Sequence, residues 1–207
     1  MSDILYLASQ SPSRKSLLET VGISYKLLAH ASDECGIESP HDFQAHVLSI
    51  ASDKMRTTIL PSRESVGLDY LFVLTADTLV RSATSLQIFG KPRDKEHGRQ
   101  MLQTLAKEKA EVVTGCCVEK MVFEQGVWRV ELAHHWTTTS LVEFVVEADE
   151  IDFYYEHFPA ALSAAGGAMI EGFGGYFVRS VNGSYTSVQG LPLFELRKAL
   201  KAMSFKF

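Results

Sequence analysis

The sequence predicts an α/β or α+β fold with a sizeable mixed β-sheet flanked by helices, the α/β arrangement being the expectation, on three observations. Short apolar runs alternate with amphipathic stretches of helical period through the first half of the chain. Leu71 to Val80 is a nearly continuous apolar run rich in β-formers, which reads as a central strand. From Glu111 to Val146 the composition turns valine-rich, which predicts three further strands with a turn near Gln125-Gly126. The 207 residues, 46% hydrophobic and 22% charged, suffice for a buried core, and no repeat or linker divides them, so 1–207 reads as a single domain.

The elements follow in order. Ile4 to Ala8 reads as a short buried strand. Ser11-Pro12 starts a helix, with Ser11 as N-cap and proline at the first helical position, and Gly22 ends it. Ile23 to Ala29 reads as a second strand, and a polar loop follows with Asp33, Glu34 and Glu38. Ser39-Pro40 repeats the start signal, and Phe43, Val47, Ala51 and Met55 give the next helix one apolar face with Lys54 beside it. Gly90-Lys91-Pro92 is a turn, and Asp94 opens a helix carrying Met101, Leu102 and Leu105. Asp149 is the expected cap of a helix running to Phe158, Tyr176 to Val181 reads as a strand, and Asn182-Gly183 as a hairpin-type turn. Leu191 to Met203 is a final amphipathic helix.

Composition excludes several functions. A formal net charge of −5 gives no global attraction to nucleic acid or to an acidic membrane surface, and no basic stripe interleaved with aromatics is present. No apolar stretch reaches the roughly 18 residues of a membrane span, and the N-terminal run lacks a basic leader, so the expectation is a cytoplasmic protein. Cys35 stands apart from adjacent Cys116 and Cys117, which supports neither a disulfide framework nor a zinc knuckle. P-loop, H-E-x-x-H and G-x-S-x-G motifs are absent, and His134 and His135, being adjacent, would face opposite sides of a strand.

Three groups of residues could carry chemistry. Ser9-Gln10-Ser11-Pro12-Ser13-Arg14-Lys15 places hydroxyls and cations where a strand gives way to a helix N-terminus, whose unpaired amides attract anions. Arg14 can grip phosphate oxygens as a fork and Lys15 adds a point charge, although a helix cap with solvated basic residues satisfies the same pattern. Asp77 is a lone carboxylate inside an apolar strand, so it is paired, bound to a metal or placed at a cleft. The loop bearing Asp33 and Glu34 could bring Glu34 to Asp77 as a second metal ligand if it folds over that cleft; otherwise it is a solvated loop. Lys54 and Lys91 are surface lysines unless the fold carries them to a phosphate.

Taken in order, these pieces resemble the Maf family of nucleoside triphosphate pyrophosphatases. The residues that carry the resemblance are Leu7-Ala8-Ser9-Gln10-Ser11-Pro12-Ser13-Arg14-Lys15-Ser16-Leu17-Leu18, Asp33-Glu34, Ala51-Ser52-Asp53-Lys54, Ala76-Asp77-Thr78, Gly90-Lys91-Pro92 and Thr114-Gly115. Further matches are Ala165-Gly166-Gly167, Ile170-Glu171-Gly172 and Gly190-Leu191-Pro192-Leu193, so nearly the whole chain is covered. The resemblance implies an elongated mixed sheet of the Maf and inosine triphosphate pyrophosphatase type, two lobes around a central cleft, and a homodimer. It implies cleavage of a nucleoside triphosphate to the monophosphate and pyrophosphate with a divalent cation, magnesium or manganese. Carried over, Asp77 and Glu34 are the catalytic and metal-binding acids, with Lys54 and Lys91 as catalytic cations. Ser9, Ser11, Arg14, Lys15, Thr78 and Glu171 are the substrate-binding residues.

The chain departs from the family pattern at three places. Ser13 replaces the first of two arginines, Ala164 replaces a lysine, and Glu171 stands where glutamine is common. These changes resemble the branch acting on 7-methyl-GTP, and a carboxylate at Glu171 could accept both donors of a guanine edge. Ala76-Asp77-Thr78 and Gly183-Ser184-Tyr185 resemble instead the branch acting on dTTP and UTP. The expectation is therefore 7-methyl-GTP, with dTTP and UTP as the alternative. The family's link to septum formation keeps open a second class, a nucleotide-binding division regulator with weak catalysis.

Overall fold

The structure, a computed structural model, describes residues 2–32 and 42–207. Asp33, Glu34, Cys35, Glu38 and the Ser39-Pro40 start signal lie outside the described residues. Seven strands form one mixed sheet. The chain runs β1 (Leu5–Leu7), α1 (Pro12–Thr20), β2 (Tyr25–Leu27), α2 (Phe43–Arg56), α3 (Arg63–Val66), β3 (Tyr70–Ser82), β4 (Ile88–Phe89) and α4 (Lys95–Glu108). It continues through β5 (Ala110–Glu124), β6 (Val127–Phe144), α5 (Ala148–His157), β7 (Val178–Asn182), α6 (Tyr185–Val188) and α7 (Leu193–Ala202). Short 3-10 turns occupy Pro159–Ser163, Ala165–Gly167 and Gly172–Phe177. Among the described residues no helix is long and apolar enough to cross a membrane.

The strand order is β2-β1-β3-β5-β6-β7, with β4 added at one end of β3. β1 runs parallel to both β2 and β3, and the other pairings are antiparallel. Alternation along β3 divides the core. Phe72 and Leu74 pack with Leu18, Leu196 and Leu200 of α1 and α7. Further along, Val80 joins Leu102 and Leu105 of α4 and Tyr154 and Tyr155 of α5. Leu71 and Val73 lie on the opposite face, against Ala51 and Met55 of α2.

Several local expectations are corrected. The valine-rich segment makes two long strands, not three, because one turn at Gln125-Gly126, both at positive φ, joins them. The N-cap of α5 is Glu147, in a capping box with Glu150, and Asp149 sits inside the first turn. A cap at Glu147 starts the helix at Ala148, two residues earlier than a cap at Asp149 would. Tyr176 and Phe177 belong to a 3-10 turn, and β7 begins only at Val178. Asn182-Gly183 makes no hairpin: the chain passes into α6, whose cap is Ser184. Asp42 caps α2 by accepting from the Ala45 N–H at 3.0 Å.

Candidate active site

β3 is the longest-reaching part of the site, because two short strands share one of its edges. β1 pairs with Phe72–Leu74, and β4 pairs with Val80 and Arg81. Between them, residues 75 to 79 have no strand partner on that edge among the described residues. Asp77 and Thr78 lie in this gap. The chain leaving β1 at Ala8, whose N–H bonds the Leu74 carbonyl at 2.9 Å, enters it from one side through Ser9 and α1. Because β4 is antiparallel, the chain leaving it at Gly90 heads back along β3 toward the same gap, with Lys91 exposed in the turn. Gaps beyond the carboxyl end of a parallel strand are where open α/β sheets hold ligands.

Ser9, Arg14 and Thr78 are brought together directly. Arg14 is 7% exposed, and its guanidinium donates from Nε to the Gly190 carbonyl at 2.8 Å, from Nη1 to Ser9 Oγ at 3.0 Å and from Nη2 to Thr78 Oγ1 at 3.1 Å. The side chain thus ties α1 to β3 and to the turn before α7. This changes the expected role of Arg14: three of its five N–H donors are spent on protein acceptors, leaving two for a ligand. Ser9 is 5% exposed and accepts from Arg14 and from the Ser11 N–H at 3.2 Å. Both acceptor positions of its oxygen are filled, and among the described residues nothing accepts its proton. A buried hydroxyl in that state is set to donate to an anion. Ser11 caps nothing with its own side chain, and Lys15 is half-buried on α1 next to Arg14.

Asp77 and Lys54 form the second pair. Lys54 Nζ lies 2.6 Å from Asp77 Oδ1, with side chains 5% and 13% exposed. The last turn of α2 carries Lys54 there because the helix packs closely on the sheet. Thr75 Oγ1 donates to the Ala51 carbonyl at 2.8 Å. Gly115, opposite Asp77 on β5, leaves room that a Cβ would fill at 2.9 Å from Leu48 Cα. A carboxylate this deep in the sheet is tolerated because the ammonium compensates it. Among the described residues Oδ2 has no hydrogen-bond partner, so one carboxylate oxygen remains for a cation or a water. No group of three or more His, Cys, Asp or Glu suited to a metal occurs among the described residues.

Glu171 is the N-terminal cap position of the Gly172–Phe177 turn, where its charge adds to burial in pushing the Tyr154 phenol up. Three groups with no role assigned from sequence complete the hydrogen-bonded site: the Gly190 carbonyl, Thr114 and the Ser187 carbonyl. Thr114 Oγ1 lies 2.9 Å from Thr78 Oγ1 and donates to the Ser187 carbonyl at 2.8 Å. Gly190, at φ +103, was the available signal, since only a residue without Cβ turns its carbonyl toward a buried arginine there. His134 and His135 face opposite sides of β6, as expected, opposite Val118 and Cys117.

Comparison with known proteins identifies the family. The family described as Maf-like protein matches residues 4–203. A dTTP/UTP pyrophosphatase of Alkalilimnicola ehrlichii is 36% identical over 95% of this chain and 91% of its own. One from Anaeromyxobacter dehalogenans is 36% identical over 99% of this chain and 96% of its own. One from Cupriavidus pinatubonensis is 33% identical over the full length of both. All three carry the name that stood as the alternative, and none of them supports the expectation of 7-methyl-GTP. A match that spans the strand, helix and turn segments gathered around Asp77 places the chain in the Maf family.

Proposed function

We propose that this protein is a nucleoside triphosphate pyrophosphatase acting on dTTP and UTP. The observation that carries the reading is the uncovered stretch of β3, where Asp77 and its Lys54 partner meet Ser9, Arg14 and the N-terminus of α1. A triphosphate needs cations, N–H groups and hydroxyl protons around it, and that gap supplies all of them. The dTTP and UTP preference is supported by the names of the full-length relatives.

In this reading a water attacks the α-phosphorus, the bond to the α–β bridging oxygen breaks, and pyrophosphate leaves from the nucleoside monophosphate. Asp77 Oδ2 takes the proton from the water, while Lys54 holds the other oxygen and fixes the carboxylate's orientation. Ser9 donates its free proton to a phosphate oxygen, and Lys15 and Lys91 offset the charge from the two sides of the gap. Asp77 is also the described residue that would hold a divalent cation, through the second lone pair of Oδ2, and such a cation when bound would neutralise developing charge on the phosphates. Glu34, the expected second acid, lies outside the described residues. A homodimer and a cytoplasmic location belong to the same reading.

The Asp77→Asn variant tests it. Pyrophosphate release should fall by about a hundredfold or more, with nucleotide binding retained. Turnover equal to the parent's would remove Asp77 from the chemistry.

A further inference from the structure

The hydroxyl beside Asp77 is not free to choose its role. The Ser187 carbonyl can only accept, so the single proton of the fully buried Thr114 goes to it, at 2.8 Å. Thr114 must then accept from Thr78, 2.9 Å away. Arg14 Nη2 donates to Thr78 Oγ1 at 3.1 Å. The Thr78 proton and one of its lone pairs are therefore committed, and one lone pair is left. Thr78 Oγ1 can accept one more hydrogen bond and can donate none. A phosphate oxygen, itself an acceptor, has nothing to gain from it.

We propose that Thr114 is a positioning residue, which by taking the Thr78 proton fixes Thr78 as an acceptor that reads an N–H or O–H donor of the bound nucleotide. The inference rests on the pyrophosphatase reading above and deepens its specificity. The direction of the chain is set at its far end, by the backbone carbonyl of α6, and Arg14 polarises it from the other end. The Gly190 backbone packs against the same atoms: a Cβ there would stand 3.4 Å from Thr78 Oγ1 and 3.5 Å from Arg14 Nε. dTTP offers two donors outside its phosphates, the base N3–H and the sugar 3′-OH.

A double-mutant cycle tests this with dTTP and magnesium. Thr78→Val and Thr114→Val should each raise KM by about tenfold, with kcat changed by no more than about threefold, and the double variant should be no worse than Thr78→Val. Thr114→Ser keeps the proton relay and should recover a KM within about threefold of the parent's. Independent, multiplying penalties would overturn the proposal, as would a folded Thr114→Ser that fails to recover. Should Thr114→Val not fold, substrate analogues decide. The KM penalty of Thr78→Val must vanish with either N3-methyl-dTTP or 2′,3′-dideoxy-TTP. A penalty that persists with both would show that Thr78 reads no donor of the nucleotide. A parent protein that releases no pyrophosphate from any nucleoside triphosphate would overturn the underlying reading and this inference with it.

Discussion

Arg14 shows how one side chain can be read two ways from sequence and only one way from geometry. Its neighbours Ser9, Ser11 and Lys15 mark an anion site, and a guanidinium among them suggests a phosphate clamp. Its partners Gly190 and Thr78 are 176 and 64 residues away, and no local pattern announces them. The fork therefore serves the fold as well as any ligand. Arg14→Lys should lower stability by about 1–3 kcal/mol, because one ammonium cannot meet three diverging acceptors. Urea unfolding would show this as a lower midpoint with an unchanged slope; a shift in KM with unaltered stability would return Arg14 to a purely phosphate-binding role. Asp77 was legible as a carboxylate needing a partner. Lys54 was legible as a site residue only through the family resemblance, and its pairing with Asp77 was not, since a lysine beside an apolar helix face is more often solvated than buried.

Most elements were legible because their signals are local. Pro12 opens α1, Asp94 caps α4 by accepting from the His97 N–H at 2.8 Å, and the apolar period of α2 matches its buried face. The misreadings came where equivalent cues compete. Glu147 and Asp149 can both cap α5, and the reciprocal bond to Glu150 decides for the first. Asn182-Gly183 has hairpin composition, but Ser184 follows and caps α6 by accepting from the Ser187 N–H at 3.2 Å. Packing can also overrule propensity. Gly98 inside α4 looks like a position where alanine would help the helix. A Cβ there would stand 2.8 Å from the Tyr155 ring, which is buried and bonded through its hydroxyl to the Gly167 carbonyl at 2.7 Å. Gly98→Ala should therefore destabilise by about 1–3 kcal/mol, and a raised melting temperature would contradict that account.

At the scale of the whole molecule, the site exists because β3 is longer than the strands on one of its edges. The sequence shows a long apolar strand but not that β1 and β4 stop short of each other, since pairing register is a long-range property. Charge burial elsewhere in the sheet sets a pH dependence. Burial pushes the Glu119 carboxyl up from its ordinary value, partly opposed by His135 at 3.6 Å. A raised carboxyl stabilises the fold fully below the unfolded-state value, about 4.5, and loses that contribution as pH rises through the folded value. Glu119→Gln should therefore gain stability relative to the parent between about pH 4 and pH 7. Denaturation midpoints of the two proteins that stay a constant distance apart over that range would show that Glu119 does not titrate abnormally.

The base preference is the point at which sequence and comparison part. Glu171 resembles a residue for 7-methyl-GTP, while Thr78, within the hydrogen-bonded site, belongs to the segment that resembles the dTTP and UTP branch. The names of the relatives follow Thr78. The most direct test is initial-rate pyrophosphate release with magnesium from dTTP, UTP, GTP and 7-methyl-GTP at equal concentration. The account predicts faster release from dTTP and UTP than from either purine nucleotide, abolished by Asp77→Asn. Faster release from 7-methyl-GTP, or release that Asp77→Asn leaves intact, would contradict it.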